Sequence, residues 1–215
     1  HLMCGYGMSP FPQGKPCYAL VWEGTFGSFY KIDENVHITK VGNVLEYPGG
    51  KYAFIYGLAD PALPVNSGTF RLQDAGKLMA LCSYGDPEKT DAEDLDLINR
   101  ILDQDKILLT LDKGDLRDTK YFNVGVENPQ FKNFARKFSD TLFERFHDFA
   151  KQHLTEGYPL IITGGCGLNC DWNSAWMKTG LFEDVFVPPC TNDSGSAIGT
   201  AIDAQFYYTG NAKID

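Results

Sequence analysis

What this chain has least of is positive charge. Its 215 residues carry 19 Lys and Arg against 28 Asp and Glu, a formal net charge of −9. No lysine- or arginine-rich block breaks the acidic background, so a protein that coats nucleic acid is excluded as an expectation. Long apolar runs are missing too: nothing approaches the ~18 residues that a membrane-spanning helix needs. No secretion signal opens the chain, there is no internal repeat, and there is no low-complexity linker. These absences lead to the expectation of a cytoplasmic protein with no membrane partner. Six cysteines (Cys4, Cys17, Cys82, Cys166, Cys170 and Cys190) are scattered too widely for a disulfide framework. Cys166 and Cys170 form one close pair without a second, so structural thiols in a reducing compartment are expected rather than a zinc site.

With 43% hydrophobic and 22% charged residues, the composition is that of a folded domain with a substantial core. The chain opens on His1, inside a well-formed motif and without an initiator methionine, so it is expected to be part of a larger polypeptide. Cys17–Trp22 reads as an apolar strand that ends in a polar glycine loop, Glu23–Ser28. Phe29–Ile32 and Val36–Val41 carry β-branched and aromatic residues around Asp33-Glu34-Asn35, which predicts a hairpin. Residues 48–70 read as loop, punctuated by Pro and Gly. Asp74–Gly85 reads as a short helix closed by glycine, and Thr90–Asp105 as an acidic helix burying Leu95, Ile98, Ile101 and Leu102. The acidic run from Asp86 to Asp96 is expected to be solvated. Residues 86–129 are taken as an insertion, with a strand over Leu108–Leu111. From Pro129 to His153, Phe131, Phe134, Phe138, Leu142, Phe146 and Phe149 recur at steps of three or four, a core-facing helical stripe.

Two loops carry the chemistry. Leu160–Thr163 reads as a buried strand running into Gly164-Gly165, where a tight turn can present backbone N–H groups to a phosphate. Phe186–Pro189 reads as another short strand. Asp193 then precedes a small-residue helix beginning near Ser194, and it is either that helix's N-cap or a metal carboxylate. Strand, glycine loop and hairpin, followed by helix, strand and diglycine turn, is the order of an RNase H-like lobe. In actin-like ATPases the first such turn grips phosphate.

Several of these stretches together resemble the O-carbamoyltransferases of the NodU/CmcH type. Thr163–Asn169 is similar to that family's strand-GGxxLN loop. Gly76–Leu81 with Tyr84-Gly85 is similar to its GKLMGLAPYG segment, and Asp193–Gly199 to its D-x-G-x-A-x-G turn. His1 with Ser9-Pro10-Phe11 resembles the end of its H-x-x-x-H…SPF motif. The resemblance implies an actin-like ATPase (ASKHA) fold: a mixed sheet with an opening antiparallel hairpin, flanked by helices. Residues 1–16 would end a preceding lobe and 17–215 would form the second RNase H-like lobe. The first lobe and a C-terminal domain would lie elsewhere in the same polypeptide, so that this part alone would be inactive.

The implied chemistry joins carbamoyl phosphate and ATP into carbamoyl-adenylate and passes the carbamoyl group to a hydroxyl-bearing acceptor. By that resemblance, His1 and Asp193 would hold a divalent metal ion, whether iron, manganese, zinc or magnesium. Gly24, Thr25, Gly27, Ser28, Lys77, Gly164 and Gly165 would face nucleotide phosphates, with Asn169 and Glu23 as the catalytic positions. Lys77 reads equally well as a lysine lying along a helix surface. The family has Asp-Gly where this chain has Glu23-Gly24, a side chain longer by one methylene. A sugar kinase, a threonylcarbamoyl-transferring relative and a non-catalytic module of the same fold are the alternatives; a homodimer is also compatible.

Overall fold

The computed structural model describes residues 1–65, 68, 71–107 and 110–214. The chain divides into two compact units: His1–Val44 together with His147–Asp215, and Leu45–Phe146.

The first unit is built on a five-stranded open sheet in the order β3-β2-β1-β4-β5. Its strands are β1 (Cys17–Trp22), β2 (Phe26–Ile32), β3 (Ile38–Glu46), β4 (Leu160–Thr163) and β5 (Val185–Phe186). β1 and β2 are antiparallel, with Trp22 opposite Gly27 and Val21 opposite Ser28. β1 and β4 are parallel, as are β4 and β5. All six residues of β1 and all four of β4 are buried, as expected of strands covered on both faces.

Alternation along β1 divides the core into two layers. Cys17 and Ala19 join Tyr6, Ile161, Ile202 and Ala212 on one face, beneath α1 (Leu2–Met8) and α7 (Ser194–Thr209). On the other face Trp22 stacks on Trp172 of α6 (Cys170–Lys178), with ring centroids 4.5 Å apart and planes 8° from parallel. Phe29 stacks on Phe149 in the same way, 5.7 Å apart. α1 lies close to the sheet: a Cβ at Gly5 would stand 2.4 Å from a Thr163 methyl. The expected hairpin is present, but Val36 rather than a turn residue takes the left-handed conformation, at φ 63°. The Asp33 carboxylate supports it by accepting from the N–H groups of Asn35 and His37.

The second unit holds α2 (Pro48–Ala59), α3 (Asp74–Cys82), α4 (Ala92–Leu102) and most of α5 (Pro129–His153). Phe131, Phe134, Phe138, Leu142 and Phe146 of α5 are fully buried here, so the aromatic stripe is core.

Four expectations are corrected. Residues 48–59 are helix, not loop; eleven of the twelve residues of α2 are buried, so it has no solvent-facing side to show a helical period. In α4 the buried face is Asp94, Leu97, Ile98, Ile101 and Leu102, while Leu95 is 41% exposed. Asp94 is also the exception to a solvated acidic run, since the Tyr121 hydroxyl donates to it at 2.7 Å and Lys120 pairs with it at 2.9 Å. α3 ends at Cys82, and Gly85 is needed for close approach instead: a Cβ there would lie 2.1 Å from the Lys132 carbonyl oxygen. The strand read over Leu108–Leu111 falls partly outside the described residues.

Candidate functional site

The site assembles where β1 and β4 end side by side, both chains running in the same direction. Beyond β1 the chain turns at once, the Glu23 N–H donating to the Phe26 carbonyl at 2.8 Å. The glycine loop is therefore only Glu23-Gly24-Thr25, shorter than its composition suggests. Gly27 and Ser28 lie in β2, not in the turn, and the buried Ser28 hydroxyl donates to Asn43 at 2.8 Å. These two expected phosphate-facing residues thus sit within the β1–β2 pairing, next to the turn rather than in it.

Beyond β4, Gly164 takes φ +95°, where a side chain is strained. A Cβ there would also stand 2.4 Å from the Trp22 carbonyl oxygen and 2.8 Å from Glu23 Oε1. The glycine thus lets the two strand ends touch. A 3-10 turn, Gly165–Leu168, follows, and then Asn169, whose buried Oδ1 accepts from the N–H groups of Asp171 and Trp172. Asn169 is the N-cap of α6.

Glu23 is the hub. Its Oε1 accepts from the Gly165 N–H at 2.9 Å and stands 2.8 Å from His1 Nε2; its Oε2 receives the Gly24 N–H at 3.3 Å. Burial pushes its carboxyl above the ordinary range; the two backbone N–H donors partly offset this, and the charge of Asp193 adds to it. His1 Nε2 lies 3.5 Å from Asp193 Oδ1. Asp193 stands at the start of α7 but makes no capping bond, and its side chain is 96% exposed. The ligand-capable atoms of His1, Glu23 and Asp193 all lie within 4.8 Å of one another. An imidazole nitrogen and two carboxylates, one of them still open to solvent, make a donor set suited to a divalent first-row metal or magnesium.

The structure therefore brings together His1, Glu23, Asp193, Gly24, Gly164 and Gly165, with Thr25 in the adjoining turn. Lys77 belongs to the second unit, where its ammonium pairs with buried Asp74 at 2.8 Å and lies over the Tyr56 ring. Glu23 as a neighbour of both His1 and Asp193 was not foreseen. Its place at the end of β1, directly before Gly24, was the signal in the sequence. His1 also lines a cavity of about 460 Å³, together with Leu2, Val21, Phe26, Tyr30, Thr200 and Asp203.

Comparison with known proteins agrees with the motifs. A family model described as the carbamoyltransferase N-terminus matches residues 1–202. The whole chain is 48% identical to part of a 3'-hydroxymethylcephem-O-carbamoyltransferase of Amycolatopsis lactamdurans, covering 41% of that protein. It is 46% identical to the protein of that name from Streptomyces clavuligerus, again over 41% of its length. Over 95% of the chain it is 30% identical to nodulation protein U of Bradyrhizobium diazoefficiens, of which it covers 39%. The chain thus spans about two fifths of the curated relatives it matches.

Proposed function

The chain belongs to the carbamoyltransferase N-terminal family, and from that membership we propose that it forms one wall of an ATP-dependent O-carbamoyl-transfer site. The observation that carries the reading is the convergence of His1, Glu23 and Asp193 beside the Gly164-Gly165 turn. The strand order β3-β2-β1-β4-β5, with β1 and β2 antiparallel and β4 and β5 running parallel to β1, supports an RNase H-like lobe of the actin-like ATPase fold.

In this reading carbamoyl phosphate, water and ATP yield carbamoyl-adenylate, inorganic phosphate and pyrophosphate, and an acceptor hydroxyl then attacks the carbamoyl carbon while AMP leaves. His1, Glu23 and Asp193 would hold a divalent cation, whose charge would neutralise the adenylate phosphate. The residues themselves position and desolvate. The Gly164 turn brings the β1 and β4 ends into contact, and Asn169 keeps the following turn fixed against α6. The acceptor we favour is a primary alcohol on a cephem-like ring, from the names of the two relatives at 48% and 46% identity.

The test uses full-length protein with carbamoyl phosphate, α-labelled ATP, a divalent metal and a 3'-hydroxymethylcephem. Carbamoyl-adenylate, pyrophosphate and a carbamoylated cephem are expected; ADP as the nucleotide product would overturn the reading. Glu23→Gln keeps the shape but removes the charge, and should weaken divalent-cation binding by roughly tenfold or more in a calorimetric titration. Unchanged cation affinity in that variant would remove Glu23 from the ligand set.

A further inference from the structure

Outside the cluster just described, three sulfur atoms meet in the same unit. Cys4 and Met8 lie one turn apart on α1, and Cys190 precedes the loop that leads to Asp193. The two Sγ atoms are 3.8 Å apart, and Met8 Sδ is 3.8 Å from Cys4 and 3.5 Å from Cys190. Cys4 is 1% exposed and Cys190 is half-buried; both are free thiols. Their meeting place is kept clear by Gly195, where a Cβ would lie 2.9 Å from Cys4 Sγ and 2.1 Å from the Cys190 carbonyl oxygen.

We propose that Cys4 and Cys190 are a redox modification site that closes to a reversible disulfide. Forming it brings sulfurs from 3.8 Å to about 2.05 Å, a movement on the scale of side-chain rotation with a small loop shift. A hydroperoxide is the oxidant. Cys190, the more accessible thiol, attacks its oxygen, giving a sulfenic acid and water or an alcohol. The Cys4 sulfur then displaces the hydroxyl from Cys190; the S–S bond forms, the S–O bond breaks, and the departing hydroxyl leaves as water with the Cys4 proton. Met8 is the competing acceptor of oxygen.

The placement gives the bond a consequence. Cys4 follows His1 by three residues and Cys190 precedes Asp193 by three, so the disulfide ties together the two chain segments that bring these side chains within 3.5 Å. Its readout is covalent and independent of whether the protein transfers carbamoyl groups.

Full-length protein is treated with stoichiometric hydrogen peroxide, alkylated, digested without reduction and mapped by mass spectrometry. A linked peptide pair containing Cys4 and Cys190 is expected, with loss of two hydrogens, reversal by dithiothreitol and a raised unfolding temperature. Cys4→Ser should abolish the link and leave Cys190 trapped by dimedone as the sulfenic acid. Cys190 linked to another cysteine would overturn the proposal. So would persistence of the same two-hydrogen loss in Cys4→Ser, or Met8 sulfoxide with both thiols unmodified.

Discussion

Gly164 shows how a single residue can carry two separate requirements. Its φ of +95° disfavours any side chain, and the space beside it is already filled by the Trp22 carbonyl and the Glu23 carboxylate. Gly180 shares only the first requirement, with φ +70° and open space around it. Gly180→Ala should therefore cost about 1 kcal/mol, whereas Gly164→Ala should cost about 3 kcal/mol or more because clash is added to backbone strain. Urea unfolding of the two variants separates the effects; equal losses would mean that the β1–β4 contact adds nothing. The diglycine was legible in the sequence as a turn because glycine is the residue such a turn needs. That the Gly165 N–H would be occupied by Glu23 was not legible, since the two residues lie 142 positions apart.

Among the longer helices, those with one wet face were readable and α2, which has none, was not. α5 and α4 show helical spacing of apolar residues because one side of each meets water. Even so, α4 was read with its face turned by one residue, because Leu95 and Leu97 differ in sequence only by position. Asp91 sets the register: its carboxylate accepts the Asp94 N–H while Asp94 returns a bond to the Asp91 N–H, a capping box that starts the helix at Ala92. Ile98→Ala should cost about 2–4 kcal/mol, Asp91→Ala about 1 kcal/mol, and Leu95→Ala no more than about 0.5 kcal/mol. Shifts in urea midpoint would check the ranking, and a Leu95 effect matching that of Ile98 would refute the observed face. α2 and α1 were missed for opposite reasons. α2 is buried all round, Lys51 included, so no period shows. α1 is only seven residues long and holds Gly5 and Gly7, poor helix formers that are needed here to let the helix lie against β4 and α7.

At the scale of the molecule, buried cations and thiols set an unusual pH profile. Burial holds the Lys51 and Lys213 ammonium groups down to about 8, against 10.5 ordinarily. Between those values the unfolded chain binds more protons than the folded one, so stability rises with pH. Burial lifts the Cys82 and Cys17 thiols to about 11 and about 12, from 9.0. Above pH 9.0 the unfolded chain therefore binds fewer protons at these positions, and their contribution falls as pH rises. The urea midpoint should climb from pH 7.5 towards about 9 and then flatten or decline. Lys51→Met, which removes an ammonium hydrogen-bonded to the Leu102 carbonyl at 2.8 Å, should shallow the rise; an unchanged slope would exclude Lys51 as its source. No helix among the described residues is long and apolar enough to cross a membrane.

By itself the sequence determined the diglycine turn and the family, because glycines, acids and their local order survive in short motifs that can be read without folding the chain. It determined β1, β4, α5 and α7 for the same reason: their signals are local, short apolar runs for the two strands, helical spacing for α5 and a small-residue run for α7. Only the tertiary structure decided that Glu23 joins His1 and Asp193, that Ser28 is spent inside the sheet, and that Cys4 meets Cys190. Each of those contacts joins residues brought together by strand pairing or by the packing of α1 and α7. Such proximity depends on the sum of weak interactions over the unit, and no spacing along the chain encodes it.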